Sequence, residues 1–425
     1  MRIPTCSREL AFPSILCITV ADRARFSRSF GVSFSTALGG RLAALGLTRG
    51  AIAAISTMIA VGTAISLLSP LVALTLSGRG VSERTIGFLV ATLALSALFS
   101  TPYAPRIAHR FGTARTISYL LPAAACLIPF AWYVTALPIL FVLLFVYGMC
   151  VSICFALSEF WINAVTPHHR RGIVMGIYAT CLSIGFAFGP VLISITGLSS
   201  PLPFFLGSAL FVIAVIPTWL ARDVSPDFSE KPSGSFFSFI FAVPIATFGV
   251  LVFAMAESSG FAFLPLWGQH LGYAPAIFPL LASAMTLGNV VFQIPLGLVA
   301  DKIDKRLILL VCGVVGCIGM VIASAATANW LVLAAVLFLW GGASAGLYTV
   351  GLAHLAARFS GGDLASANSA FVFCYALGML IGPVMVGDAM NRMPTTGFPI
   401  AIGAAFGAYC IIAAARLVRS RTETP

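Results

Sequence analysis

The sequence predicts an all-α integral membrane protein of twelve transmembrane helices, arranged as two pseudo-symmetric six-helix bundles. Three observations predict it: too few charges for a soluble surface, apolar runs long enough to cross a bilayer, and landmarks that recur about 192 residues apart. Of 425 residues, 60% are hydrophobic and 9% are charged, against roughly 25% charged in a soluble domain. The apolar residues must therefore face lipid, where every backbone N–H and C=O needs a partner inside the protein. The runs approach 20 residues, enough to cross about 30 Å as helix, and they lack the alternation of a barrel strand.

Polar breaks place the spans at 51–76, 84–107, 115–134, 137–162, 172–196, 202–221, 238–266, 275–300, 306–326, 330–356, 363–388 and 396–417. Turns as short as Thr135–Leu137 and Ala328–Asn329 force antiparallel neighbours. Twelve spans put both termini on one side, and that side collects 21 of the 24 Lys and Arg; only Arg79, Arg84 and Arg392 lie on the other. Excess basic residues mark cytoplasmic loops, so both termini are expected in the cytoplasm, with the chain in the inner (plasma) membrane. The net charge of +11 reads as topology, and no nucleic-acid partner is expected. Residues 1–49 carry seven Arg and only a short, Pro-broken apolar run, and read as a basic extension. The domain reading is then 50–221 and 238–417 as bundles, 222–237 as a cytoplasmic linker and 418–425 as a tail. The 10 cysteines are scattered without a C-x-x-C pair and read as free thiols.

The repeat is carried by two landmarks. Arg110-Phe111-Gly112 follows the second span as Asp301-Lys302 follows the eighth, and Gly185-x-x-x-Gly189-Pro190 in the fifth matches Gly378-x-x-x-Gly382-Pro383 in the eleventh. Small residues four apart let helices approach closely and Pro bends a helix, so these six residues read as helix-packing elements.

Two six-helix halves with a central linker resemble the major facilitator superfamily over residues 50–417. Its loop motif G-x-L-A-D-R-x-G-R-R is well kept as Gly297-Leu298-Val299-Ala300-Asp301-Lys302-Ile303-Asp304-Lys305-Arg306, with Asp304 where Gly is usual. The first copy is degraded, with His109 in the place of the family's Asp. The run from Ala104 through Arg110 to Gly112, with Ser158-Glu159-Phe160-Trp161 and Arg171-Gly172, resembles the YcaD-like subgroup of transporters. The resemblance implies transport of a small solute by alternating access of the two halves. It also implies a cytoplasmic latch around Arg110, Asp301, Lys302 and Arg306, weakened in its first copy by His109; the plainer reading is that these basic residues only fix topology.

Only Glu159 and Glu257 bring a carboxylate into the interior of a span. A charge at the bilayer centre costs about 2.5–3.5 kcal/mol on insertion scales, and burial favours the protonated form. Glu257, placed in the outer half of the seventh span, is the candidate for binding a proton or a cationic part of a solute; the alternative is a structural carboxylate bonded to nearby hydroxyls. Glu159, near the end of the fourth span, is expected to pair with Arg171 as a gate or a simple ion pair. Asn289 and Gln293 share one face of the eighth span. Tyr178, Tyr348, Asn368 and Tyr375 fall on the fifth, tenth and eleventh spans, which contribute to the cavity in the resembled fold. Trp132, Trp267 and Trp330 near span ends read as interfacial aromatics.

No Walker motif, H-E-x-x-H sequence or clustered metal ligands occur. The reading is of a transporter rather than an enzyme, acting as a monomer, with no cofactor beyond a coupled proton. Proton-coupled efflux, a facilitated-diffusion uniporter and a non-transporting sensor or assembly protein on the same scaffold remain open, since architecture does not choose among them.

Overall fold

The computed structural model describes residues 48–166, 171–224, 237–300, 302–359 and 361–422. The N-terminal extension, most of the central linker and Asp301 fall outside them. Among the described residues there is no strand. Twelve long helices follow one another: α1 (Arg49–Gly78), α2 (Glu83–Ser100), α3 (Thr113–Tyr133), α4 (Leu137–Val165), α5 (Arg171–Thr196), α6 (Leu202–Leu220), α7 (Pro244–His270), α8 (Phe278–Ala300), α9 (Lys305–Ala325), α10 (Trp330–Arg358), α11 (Gly361–Arg392) and α12 (Gly397–Thr422). Eleven are long and apolar enough to cross a membrane, and α5 carries a shorter apolar stretch, Thr180–Thr196.

Local chemistry sets the ends. Thr48, Ser82 and Asn329 cap α1, α2 and α10 by accepting backbone N–H bonds, satisfying donors that a helix start leaves orphaned. Asp304 does the same for α9, accepting from Arg306 N at 2.9 Å. The residue that departs from the family motif therefore has a structural role of its own.

Two spans are broken where the sequence reading made them continuous, and proline is the cause in both. The run 84–107 ends as α2 at Ser100, then turns through Thr101–Tyr103 into a short helix at Ala104–Phe111, because Pro102 and Pro105 supply no backbone donor. The run 238–266 divides into a short helix at Phe237–Ala242 and α7. Val243 between them is non-helical (φ −132°, ψ 58°), as expected of a residue preceding proline. This break moves α7 forward to Pro244–His270 and changes the depth of everything on it. The last helix also runs past 417 to Thr422.

Helices α1 and α7 are the most buried of the eleven long apolar spans. In the first half α5 packs on α1; in the second α11 packs on α7. A Cβ on Gly185 would lie 2.8 Å from Ile59 O, and one on Gly189 2.5 Å from Leu67 N. A Cβ on Gly378 would lie 2.1 Å from Leu251 O, and one on Gly382 2.6 Å from Met255 Cα. The same Gly-x-x-x-Gly-Pro element thus seats α5 on α1 and α11 on α7, at backbone distances that admit no side chain. The halves join along α2–α11, α5–α8 and α1–α7. Trp267 belongs to the core and not to an interface with lipid: it is fully buried, stacks on Phe398 (5.5 Å) and donates to Thr395 O at 2.6 Å.

Candidate functional site

Glu257 lies midway along α7, equidistant from Pro244 and His270, and so at the centre of the bundle rather than in its outer half. Its carboxylate accepts a hydrogen bond of 2.5 Å from Tyr375 Oη on α11. The adjacent hydroxyl of Ser258 is spent on Ala254 O, so the partner comes from another helix. Tyr375 packs against Tyr348 of α10 (5.9 Å between centroids) and Phe253 of α7 (6.3 Å), and Tyr348 also meets Phe371 (5.6 Å). On its other side Glu257 lines, with Asn289, Met285 and Trp340, a void of about 10 Å³, near the lower limit for one water. Asn289 accepts from Gln293 Nε2 at 3.2 Å, so the two amides on α8 act as one unit.

Glu159 of α4 accepts from Tyr178 Oη of α5 at 3.2 Å. The side chains of Arg171 and Asn368 lie outside the described ones, so the expected Glu159–Arg171 pair falls there too. Tyr348 is within electrostatic reach of both Glu159 and Glu257. The two carboxylates sit at different depths, Glu257 midway along α7 and Glu159 six residues before the end of α4, and both reach one aromatic cluster, one acid contributed by each half.

The face of the bundle away from the termini is closed by contacts that sequence reasoning missed. Glu83 at the start of α2 meets His270 at the end of α7, Oε1 to Nε2 at 3.0 Å. Arg84 reaches Asp388 of α11 at 3.7 Å, and Arg392 holds the same carboxylate at 2.8 Å. Below these pairs α2 and α11 touch backbone to backbone: Gly87 faces Pro383 O, and Gly387 faces Glu83 O. Deeper still, Phe186 of α5 stacks on Phe261 of α7 at 5.5 Å, and Ser283 of α8 donates to Ala187 O at 3.2 Å. The ion pairs that join the halves among the described residues are at this face. At the termini face Arg110 lies over the Phe111 ring at 5.5 Å, and Lys302 is exposed.

The model for the Major Facilitator Superfamily matches residues 50–277 and 246–425, which is nearly all of the described chain. The chain belongs to the major facilitator superfamily. It is a membrane transporter of the kind that carries small-molecule solutes, and not an enzyme. Relatives include the uncharacterized MFS-type transporter YfkF of Bacillus subtilis, 25% identical over 55% of this chain and 61% of its own length. The uncharacterized MFS-type transporter YcaD of Salmonella dublin is 24% identical over 85% of this chain and 93% of its own. Among solved structures, the nucleoside transporter NupG (a D323A mutant) superposes with a TM-score of 0.70 over 88% of this chain and 99% of its own, at 15% identity. A bacterial homolog of the human lysosomal transporter Spinster, inward-facing and unoccupied, gives 0.69 over 86% and 95%, at 14% identity. At such identity the superfamily fold is what the chain shares with these structures.

Proposed function

We propose that this member of the superfamily is a proton-coupled secondary transporter of the inner membrane, exporting a lipophilic solute that carries positive charge. The observation that carries the reading is the pair of carboxylates, Glu257 with Tyr375 and Glu159 with Tyr178, both within electrostatic reach of Tyr348. Aromatic faces attract cations, and a carboxylate at mid-membrane depth is stable when it holds either a cation or a proton. Solute and proton then compete for one site, which is the minimum that an exchanger needs.

With the termini in the cytoplasm, the closed face is the outer one. The cycle then runs as follows. A cationic solute enters from the cytoplasm, displaces the proton from Glu257 and spreads over Tyr348 and Tyr375. Rocking of one half against the other parts α2 from α11 and opens the outer face. A proton arriving from outside neutralises Glu257 and releases the solute. Tyr178 holds Glu159 in place as the first half's contribution to the same charge balance.

Proton movement in proteoliposomes, driven by a panel of lipophilic cations and neutral analogues, tests this directly. Wild type is expected to move protons against cations, and Glu257→Gln to abolish that movement while keeping its melting temperature. Cation flux in wild type with no proton movement would replace the exchanger with a uniporter. Unchanged coupling in Glu257→Gln would remove Glu257 from the mechanism.

A further inference from the structure

A second cavity lies away from the central one. It is a groove of about 780 Å³ at the closed face, open sideways, between α2, α4 and α11. Its walls are Phe88, Ala91 and Leu95 from α2, Phe141, Val142 and Phe145 from α4, and Leu380, Ile381 and Val384 from α11. Thr92, the one hydroxyl among the lining residues, donates to Phe88 O at 3.0 Å, so no lining side chain offers a free hydrogen-bond donor. Phe99 meets Phe145 edge-on at 6.2 Å just beyond Leu95. In a membrane such a groove faces acyl chains. A chain moving from bulk lipid into it gains little from hydrophobicity, because both environments are equally apolar. Any selectivity must come from the groove's mouth.

The mouth carries an arginine on each side, with Asp388 between the two and Glu83, held by His270, beside Arg84. Arg84 stands one helical turn before Phe88 on α2, and Arg392 one turn after Asp388, which itself follows Val384 by one turn on α11. The two stripes that wall the groove therefore each end in an arginine. Both guanidinium groups are largely exposed, 62% and 71%, although each touches Asp388. A guanidinium has five N–H donors in a fork suited to phosphate, and one aspartate cannot occupy both forks. Arg79, the remaining arginine at this face, is committed elsewhere: it donates to Trp132 O and Val134 O at the end of α3.

We propose that the groove is a binding site for an anionic phospholipid, with an acyl chain along α2 and α11 and the phosphate between Arg84 and Arg392. One arginine belongs to each half, so the lipid bridges the seam that must part when this face opens. The bound lipid holds the face closed, and the anionic content of that leaflet sets the conformational balance of the transporter.

The test uses the full chain in vesicles of equal phosphatidylglycerol and phosphatidylcholine, with native mass spectrometry of the retained lipid. The expected result is a clear excess of phosphatidylglycerol on the wild type. That excess falls about fivefold for each arginine removed in Arg84→Gln and Arg392→Gln, and falls again in Leu95→Trp, which fills the groove and keeps both arginines. Equal retention of the two lipids by wild type would overturn the proposal, as would an excess that survives Arg84→Gln/Arg392→Gln. A Leu95→Trp protein with undiminished phosphatidylglycerol would overturn the placement of the chain in the groove. Because Arg84→Gln also removes the contact to Asp388, spin-label distances across the closed face are compared in the two pure lipids. The lipid reading requires the double variant to lose the difference between phosphatidylglycerol and phosphatidylcholine; a shift of equal size in both lipids means a broken ion pair alone.

Discussion

A methyl group added at Gly87 should open the closed face. A Cβ there would sit 2.3 Å from Pro383 O and 3.3 Å from Val384 Cα, both backbone atoms of α11. No side-chain rotation relieves that overlap, so α2 and α11 must separate by about 1 Å to reach ordinary contact. Overpacking of this kind costs about 1–3 kcal/mol, and here the cost falls on the closed state alone, since an open face no longer brings the two helices together. At about 1.4 kcal/mol per tenfold, Gly87→Ala shifts the balance by roughly 5- to 150-fold. A wild type closed about ten to one would become a mixture at about two to one closed, or a mostly open population, both within easy range of detection. The assay is electron–electron spin-label distance measurement between Gly78→Cys, where an added Cβ meets nothing within 4 Å, and the exposed Asn391→Cys, in a background without the native cysteines. Gly378→Ala serves as control, because its overlap with Leu251 O lies inside the second half. It should lower the melting temperature without moving the label distance. A Gly87→Ala protein with the wild-type distance distribution would refute the reasoning, since it would mean that the α2–α11 contact is not what a conformational change breaks.

Three other outcomes are expected. His270→Phe strips Glu83 of its 3.0 Å partner and should weaken the closed face by about 1–3 kcal/mol, read by the same label pair; no change would make that contact incidental. Tyr375→Phe removes the donor to Glu257; a hydrogen bond to a charged group contributes about 1.5–3 kcal/mol, so solute flux should fall at least tenfold with the fold intact. Asp304→Ala uncaps α9 and should cost about 0.5–2 kcal/mol of stability, seen as a lower melting temperature with the transport rate per folded molecule unchanged.

Much of the fold was legible because lipid leaves the chain so few options. Composition excluded a soluble fold, run length excluded strands, and the Gly-x-x-x-Gly-Pro repeat placed α5 and α11 in corresponding positions. The errors came where proline overrides hydropathy, as at Val243–Pro244, since a hydropathy window averages over a one-residue break. That single break displaced Glu257 from the outer half of α7 to its midpoint. The partner of Glu159 was legible in principle. Glu159 stands six residues before the end of α4 and Tyr178 seven after the start of α5, near-matching positions on consecutive antiparallel helices; the nearby basic cluster at 170–171 drew attention away from that register. Glu83 and His270 carry no such signal. They are 187 residues apart, and each looks like an ordinary charge at a helix end. Contacts between halves follow from how the bundles dock, which no local pattern encodes.

The repeat itself separates scaffold from site. Gly185 meets Ile59 and Gly378 meets Leu251; Gly189 meets Ser66 and Leu67, and Gly382 meets Met255 and Ser259. Gly185 on Ile59 recurs as Gly378 on Leu251, and Gly189 on Ser66 as Gly382 on Ser259, at offsets of 192 or 193 residues, so this packing is shared by the two halves. The carboxylates break this rule. At the same offset Glu159 corresponds to Leu352 and Tyr178 to Phe371, while Glu257 corresponds to Ile65 and Tyr375 to Leu182. Neither acid–tyrosine pair has a copy, and the two are built differently, one on α4 and α5, the other on α7 and α11. A carboxylate inside a membrane span is costly, and a duplicated scaffold needs neither of them in order to stand. Their presence at positions where the other half carries Leu or Ile is therefore the feature that packing does not explain. It is also the feature through which a solute or a proton can distinguish one half from the other.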